Sequence, residues 1–464
     1  LTLFVAPVLL DAAYDSSPRD LRDNWRAIAL TAVLLVLVTT GAVAVLAHAL
    51  SPALGWWVAV ALGAMVATPD ASAGIAVLRA LRPPHRVTVI LEGESMFNDA
   101  TALLVYRVAV AGALGQAPGW ADAPQLVLAI VGGAALGAAL AWLYPRLARL
   151  VLEGPGAIVA QFIGTFAIWI LADRLGLSPI ITIVTYAIVL ARIVPAHSEP
   201  AMRVQSYAVW DVVVFVMNVL AFITTGLQLR PILSALGNAD WRGYAGFAAA
   251  VLGTVIVVRI AWMMSVNGLI QLKNRRIGPG PHQPAVLPTA ATGLVISWAG
   301  MRGVVTLATA LALPDSFPQR PLLLFAAFVV VLGTLVLQGL TLPALIRHLR
   351  MPSDDTVESE VRLARARTAE SGLAALRTAE APYAEALRRE LAIRRGDPSG
   401  PLADHISARL AVHRAERNTL VALRARREIG DDAFHAVEQE IDFAEMFVLR
   451  RLGLVLGSGD PPGL

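Results

Sequence analysis

The chain has 464 residues, 56% of them hydrophobic, no cysteine and a mean hydropathy of +0.64. A soluble protein of this length divides into about three domains, but this composition is too apolar for that and belongs to a polytopic membrane protein. The missing cysteines exclude disulfides, thiolate chemistry and Cys-ligated metals, and the formal charge of +4 comes from arginines scattered over loops and tail, with Lys273 the only lysine, so no nucleic-acid partner is indicated.

The chain opens on Leu1-Thr2-Leu3 with no charged n-region of a signal peptide. It reads as beginning inside a membrane helix, with upstream helices expected. Apolar runs then place spans at residues 1–13, 27–50, 54–78, 87–112, 126–144, 157–175, 179–194, 207–229, 244–270, 286–313 and 322–346. Most are long enough, at 1.5 Å per residue, to cross about 30 Å of hydrocarbon.

The basic residues test these eleven spans, because arginine and lysine concentrate on the cytoplasmic side. The odd-numbered loops hold thirteen, among them Arg19, Arg22, Arg26, Arg79, Arg82 and Arg86, and the even-numbered loops hold four. That asymmetry puts the odd loops and the C-terminal tail in the cytoplasm. The expected protein is an all-α, multi-pass helix bundle of the cell (inner) membrane over residues 1–350, with a helical cytoplasmic region over 351–464. In that tail Leu402, Ile406, Leu410, Leu420 and Leu423 read as packing or dimer contacts.

Charges inside apolar spans cost about 2.5–3.5 kcal/mol each at the bilayer centre, so they face a bundle interior or an aqueous cavity and mark an ion path. The first is Asp11, close to the apolar run Pro7 to Leu10, either a helix-end charge or a cavity carboxylate. In the third span, Ala67-Thr68-Pro69-Asp70 interrupts the helix, since Pro69 lacks an amide donor and disfavours helix at Thr68. Broken helices at membrane depth line cavities, and their freed carbonyls coordinate cations. Asp70 either helps bind the ion or neutralises a half-helix N-terminus.

The fourth span is the densest in polar groups, with Glu92, Glu94, Ser95, Asn98, Asp99 and Arg107, and its midpoint falls between Asp99 and Ala100. Helical spacing puts Ser95 and Asp99 on one face and Glu94 and Asn98 on another, about 100° away. A hydroxyl and a carboxylate are hard oxygen ligands suited to a small alkali ion. Asp99 and Ser95 are therefore the expected ion ligands. Glu94 points elsewhere and is expected to pair with Arg302, another charge within an apolar span, as a helix-holding ion pair. Glu92 receives no role. In the last span, Gly333-Thr334 and Gln338-Gly339 are candidates for the second broken helix of an inverted repeat.

Leu91-Glu92-Gly93-Glu94-Ser95 through Asn98-Asp99-Ala100-Thr101-Ala102-Leu103 closely resembles the signature of the monovalent cation:proton antiporter-1 family, in its bacterial sodium/proton exchanger branch. Pro69-Asp70-Ala71, Gly226-Leu227-Gln228-Leu229, Gly300-Met301-Arg302-Gly303 and Thr334 to Thr341 follow in the family's order, and the tail's Glu428 to Asp432 and Glu440-Ile441-Asp442 are also similar. The resemblance implies that Asp99 binds the ion and the proton, with Asn98 its neighbour. It also implies that Ser95 and the unwound backbone at Thr68 complete a Na⁺ site, and that Glu94 pairs with Arg302. A homodimer, elevator-like alternating access and electroneutral exchange follow from it too. Two departures stand out. Much of the family has Thr-Asp-Pro where this chain has Thr68-Pro69-Asp70, and often Glu where Asp11 stands.

The function expected is Na⁺/H⁺ antiport through one midplane carboxylate, with Na⁺, H⁺ and the lipid bilayer as partners and no cofactor. The nearest alternative is the same antiport with K⁺ or Li⁺. A gated cation channel or sensor is a different class, which gives no reason for a broken helix beside a single midplane acid. An intramembrane hydrolase would need paired catalytic groups at membrane depth. His48, His85, His197, His282 and His348 all lie at span ends or in loops, so no enzyme activity is expected.

Overall fold

The computed structural model describes residues 2–349 apart from 71–73, 76–77, 79–82, 117–118, 120–122, 149–154, 198–199, 237–240 and 278–288. Beyond 350 it describes residues 359, 363, 412–420, 422, 426, 437 and 440–447. The chain divides into two compact units, Leu1–Asp354 and Asp355–Leu464.

The first unit is all helix and connecting segment among its described residues. In order, α1 is Thr2–Asp15, α2 Pro18–Asp23 and α3 Trp25–Ala29, which passes through a π-helical stretch, Leu30–Leu35, into α4, Val36–Leu50. Next are α5 (Trp56–Ala67), α6 (His85–Ala113), α7 (Ala123–Ala148), α8 (Pro155–Arg174), α9 (Pro179–His197), α10 (Pro200–Leu227) and α11 (Leu229–Leu236). The last four are α12 (Trp241–Ile277), α13 (Ala290–Ala299), α14 (Val304–Leu311) and α15 (Arg320–Leu349).

Six helices among the described residues are long and apolar enough to cross a membrane, beginning at Trp25, Pro124, Gly156, Gln205, Trp241 and Arg320. Helix α6 is long but carries Glu92, Glu94, Asp99 and Arg107, and α5 and α13 are short because each stops at a break. Exposed Leu128, Val131, Phe215 and Leu340 cover outward faces of α7, α10 and α15. Apolar side chains presented so densely to the outside suit lipid rather than water.

The interior falls into two groups of helices. One is built on α4, α5, α12, α14 and α15, whose buried alanines, valines and phenylalanines pack with Tyr106 and Ala109 of α6. Its far end is closed by α13, with Val295 and Ile296 against Leu91 and Leu342. The other group joins α1, α7, α8 and α9, and meets α6 at Met96 and Ala100. Helix α6 therefore lies on the seam between them.

Two helices in the first group are broken. Helix α5 ends at Ala67, and Thr68 is extended (φ −75°, ψ 115°), the conformation that a following proline imposes. The second break lies at Gly300-Met301-Arg302-Gly303, between α13 and α14, and not in the last span. Helix α15 runs without interruption through Gly333, Thr334, Gln338 and Gly339, so the expected second break there is corrected. Neither glycine is needed for unwinding, because the backbone amides around them stay in one helical ladder.

In the second unit, residues 412–420 and 440–447 are helical, and Leu420 packs on Ile441. Arg417 donates to Asp442 at 2.5 Å and to Glu445 at 2.7 Å across the pair. Leu402, Ile406, Leu410, Leu423 and Glu428 to Asp432 lie outside the described residues.

Candidate ion-binding site

The two breaks cross. The Asp70 amide donates to the Met301 carbonyl at 2.6 Å, a single antiparallel bridge between the unwound segments. Close approach at the crossing depends on the two glycines of the second break. A Cβ on Gly303 would collide with the Asp70 carboxylate, and one on Gly300 with the Arg259 guanidinium. Glycine is the residue that lets a backbone come this near to another group.

Each break leaves the last carbonyls of a half-helix without intrahelical donors, and in a dry interior those carbonyls need partners. An arginine serves each end. Arg302 donates from Nε to Val66 O at 3.1 Å and from Nη2 to Ala67 O at 3.4 Å, closing the end of α5, and from Nη1 to Gly300 O at 2.6 Å. Arg259, on α12, donates from Nε to Ser297 O and from Nη2 to Ile296 O, both at 3.1 Å, closing the end of α13. A guanidinium, with five donors and a permanent charge, suits the negative end of a helix dipole.

Glu94 pairs with Arg259, by two hydrogen bonds of 2.5 and 3.0 Å between fully buried side chains. The expected Glu94–Arg302 pair is thus corrected. Arg302 spends its donors on backbone carbonyls, and the planar fork facing Glu94 belongs to another helix. Sequence reasoning missed Arg259 altogether, although its signal was present: it is an arginine in the middle of the apolar run 244–270. The last span contributes to the same structure. Thr334 Oγ1 accepts the Arg302 amide at 3.0 Å while donating to Val330 O, and Gly339 faces the Met301 sulfur.

Of the ion-site candidates, Thr68 and Asp70 lie at the first break, and Asp99 lies beside it through its neighbour Asn98. Asn98, fully buried, donates from Nδ2 to the Pro69 carbonyl at 2.8 Å and ties α6 to the unwound segment. The residues flanking that hydrogen bond are Thr68 and Asp99, both buried. Two oxygens here, Thr68 Oγ1 and Asn98 Oδ1, are buried without a hydrogen-bond partner among the described residues. Asp70 is half-buried, within electrostatic range of Asp99, and its carboxylate lies against Gly303 at the start of α14. Ser95 is half-buried one turn before Asp99 on the same face of an unbroken helix. Asp11 is half-buried on α1, and the neighbouring Leu9 and Leu10 share an apolar cluster with Met96 and Ala100, which puts Asp11 across the seam.

Chemically, the cluster offers a buried carboxylate, hydroxyls, an amide oxygen and unwound backbone, all hard oxygen donors for a small monovalent cation. The buried Glu94–Arg259 pair and Arg302 fix the surrounding geometry without entering it.

The pattern of the sodium/hydrogen exchanger transmembrane family fits residues 1–348 of the chain. A Na(+)/H(+) exchanger of Mycobacterium tuberculosis is 31% identical over 485 aligned residues, covering 97% of this chain and 86% of that protein. The exchanger YjcE of Escherichia coli is 28% identical, over 97% of this chain and 89% of its own. In three dimensions the chain resembles the sodium proton antiporter MjNhaP1 from Methanocaldococcus jannaschii, with a TM-score of 0.56 and 18% identity over 75% of this chain and 84% of that one.

Proposed function

Because the chain belongs to the sodium/hydrogen exchanger family, a family of membrane cation/proton exchangers and not of enzymes, we propose that it exchanges Na⁺ for H⁺ at one site centred on Asp99. The observation that carries this is a buried carboxylate beside two crossed helix breaks, with the unpartnered oxygens of Thr68 and Asn98 next to it. A cation arriving there replaces lost hydration with Asp99, Ser95 and Thr68 as ligands, and its charge displaces the proton from Asp99. Since the carboxylate holds one monovalent ion at a time, one Na⁺ is exchanged for one H⁺ and no net charge crosses. Coupling requires that the site face one side at a time, which the seam along α6 allows by a shift of one helix group against the other.

In this reading Asp70 acts on the start of α14, where a carboxylate offsets the positive end of the half-helix. Asp11 lies on the approach rather than in the ligand set. The protein works in the inner membrane, with its tail on the cytoplasmic side, and as a homodimer.

The test is sodium-driven proton movement in everted vesicles. Asp99→Asn abolishes it while the protein still inserts; exchange at the wild-type rate in that variant overturns the assignment. A broader cation range is favoured by one specific observation. A relative from Bacillus subtilis, 29% identical over 364 residues, is named a sodium, potassium, lithium and rubidium/H(+) antiporter. The same vesicles challenged with NaCl, KCl and LiCl give the preference directly.

A further inference from the structure

The seam between the two helix groups opens, toward the end of α6 remote from Arg86, into a cavity of about 190 Å³. Ala100, the neighbour of Asp99, lies at its inner end, with Trp169 and Ser178 on the opposite wall. Arg107 of α6 and Asp173 of α8 also line it, joined by an ion pair of 3.2 Å. Arg107 lies two turns beyond Ala100 on the same helix, about 10 Å at 1.5 Å per residue. The pair thus spans the outer part of a short vestibule that leads to the residue beside Asp99.

We propose that this cavity is the approach to Asp99 from the face opposite the arginine-rich loops, and that Arg107–Asp173 is a latch joining the two helix groups across it. The inference rests on the alternating reading above, because a site reached from two sides in turn needs the groups to separate at one mouth and then the other. An interaction made between the groups in one arrangement and broken in the other biases the equilibrium between them. The pair fits that role by position, with one partner on the helix that bears Asp99 and the other on α8. Its chemistry fits as well. The two ends carry opposite charge, so they hold the groups together at this mouth in one arrangement and part when it opens in the other. Both side chains are more than half exposed, so the latch is weak, and its loss shifts the balance of states by about two- to fivefold rather than locking either one.

The absence of cysteine makes the experiment clean. The full chain carrying Arg107→Cys and Asp173→Cys is reconstituted in proteoliposomes and bridged with a short bis-methanethiosulfonate reagent. Bridging is expected to reduce sodium-driven proton movement at least tenfold, and reductant to restore it. Bridged protein that transports as fast as the same protein without the bridge overturns the latch. A second measurement holds even if that double variant folds poorly. Leu104→Cys is labelled with a membrane-impermeant maleimide from each side of the membrane in turn. Labelling is expected only from the face opposite the arginine-rich loops, with its rate changed two- to fivefold by Arg107→Gln and returned toward the original by the charge swap Arg107→Asp with Asp173→Arg. Labelling from the other face, or a rate indifferent to Arg107→Gln, overturns the proposal. The two readings fail separately: exchange persisting in Asp99→Asn sinks the ion site whatever the bridge does, and bridged protein that transports sinks the latch with Asp99 untouched.

Discussion

Arg259 and Glu94 form a two-point ion pair, 2.5 and 3.0 Å, between side chains that are each 1% exposed, and the same guanidinium caps the end of α13. The pair links three helices, α6, α12 and α13, and it sits one helical turn from Asn98.

Removing either partner leaves a buried charge uncompensated, at a cost of about 3–5 kcal/mol. Glu94→Ala and Arg259→Ala are each expected to lower the melting temperature of the detergent-solubilised protein clearly. The double variant is expected to be less destabilised than the sum of the two, since the second change removes a charge already orphaned. Arg259→Lys does not rescue, because one ammonium cannot serve both carboxylate oxygens and two carbonyls. Thermal melts across this cycle check all three statements.

Gly303→Ala places a methyl into the Asp70 carboxylate. The backbone conformation at Gly303 is ordinary for any residue, so the effect comes from the lost space alone. Transport is expected to fall at least tenfold while membrane insertion is retained. Gly41→Ala, where an added methyl meets nothing within 4 Å, serves as the control and is expected to transport at the wild-type rate.

Asn98→Ala removes the donor to the Pro69 carbonyl and leaves that buried acceptor unsatisfied, which costs about 1–3 kcal/mol. The break beside Asp99 then loses its tie to α6. Vesicle assays are expected to show weakened apparent sodium affinity together with a lowered maximal rate, since both ion ligands and their spacing move.

Asp20 of α2 receives hydrogen bonds from His85 at 3.1 Å, from Arg19 and from the Ser17 cap. Burial alone would raise its carboxyl, but those donors outweigh it and hold it below the usual carboxylate value. A carboxyl lowered in the fold contributes stability above its unfolded value, about 3.9, and loses that contribution as pH falls through the lower folded value. The difference in melting temperature between wild type and Asp20→Asn is therefore expected to be constant near neutral pH and to shrink toward zero below about pH 4.

Most of the architecture was legible in the sequence, because lipid imposes two simple demands: long apolar runs and paired or hidden charges. The multi-pass helical character and the break at Thr68-Pro69 could be read from hydropathy and from what proline does to its neighbour. The cluster Glu94, Ser95, Asn98 and Asp99 could be read from helical spacing, which also separated the two faces. The second break was harder. Gly300 and Gly303 lie within a run as apolar as its neighbours, while Gly333 and Gly339 offered an equally good pattern in the last span.

What only the tertiary structure decided was partnership. Spacing along one helix says which way Glu94 points but not which arginine waits there, since α12 and the second break bring both Arg259 and Arg302 into its neighbourhood. Their assignment follows from which orphaned carbonyls each guanidinium can reach: Arg302 those of Val66 and Ala67, Arg259 those of Ile296 and Ser297. Once Arg302 is committed to backbone, Arg259 remains for Glu94. That choice is made by the crossing of two chain segments more than 200 residues apart, a contact that one-dimensional periodicity cannot encode.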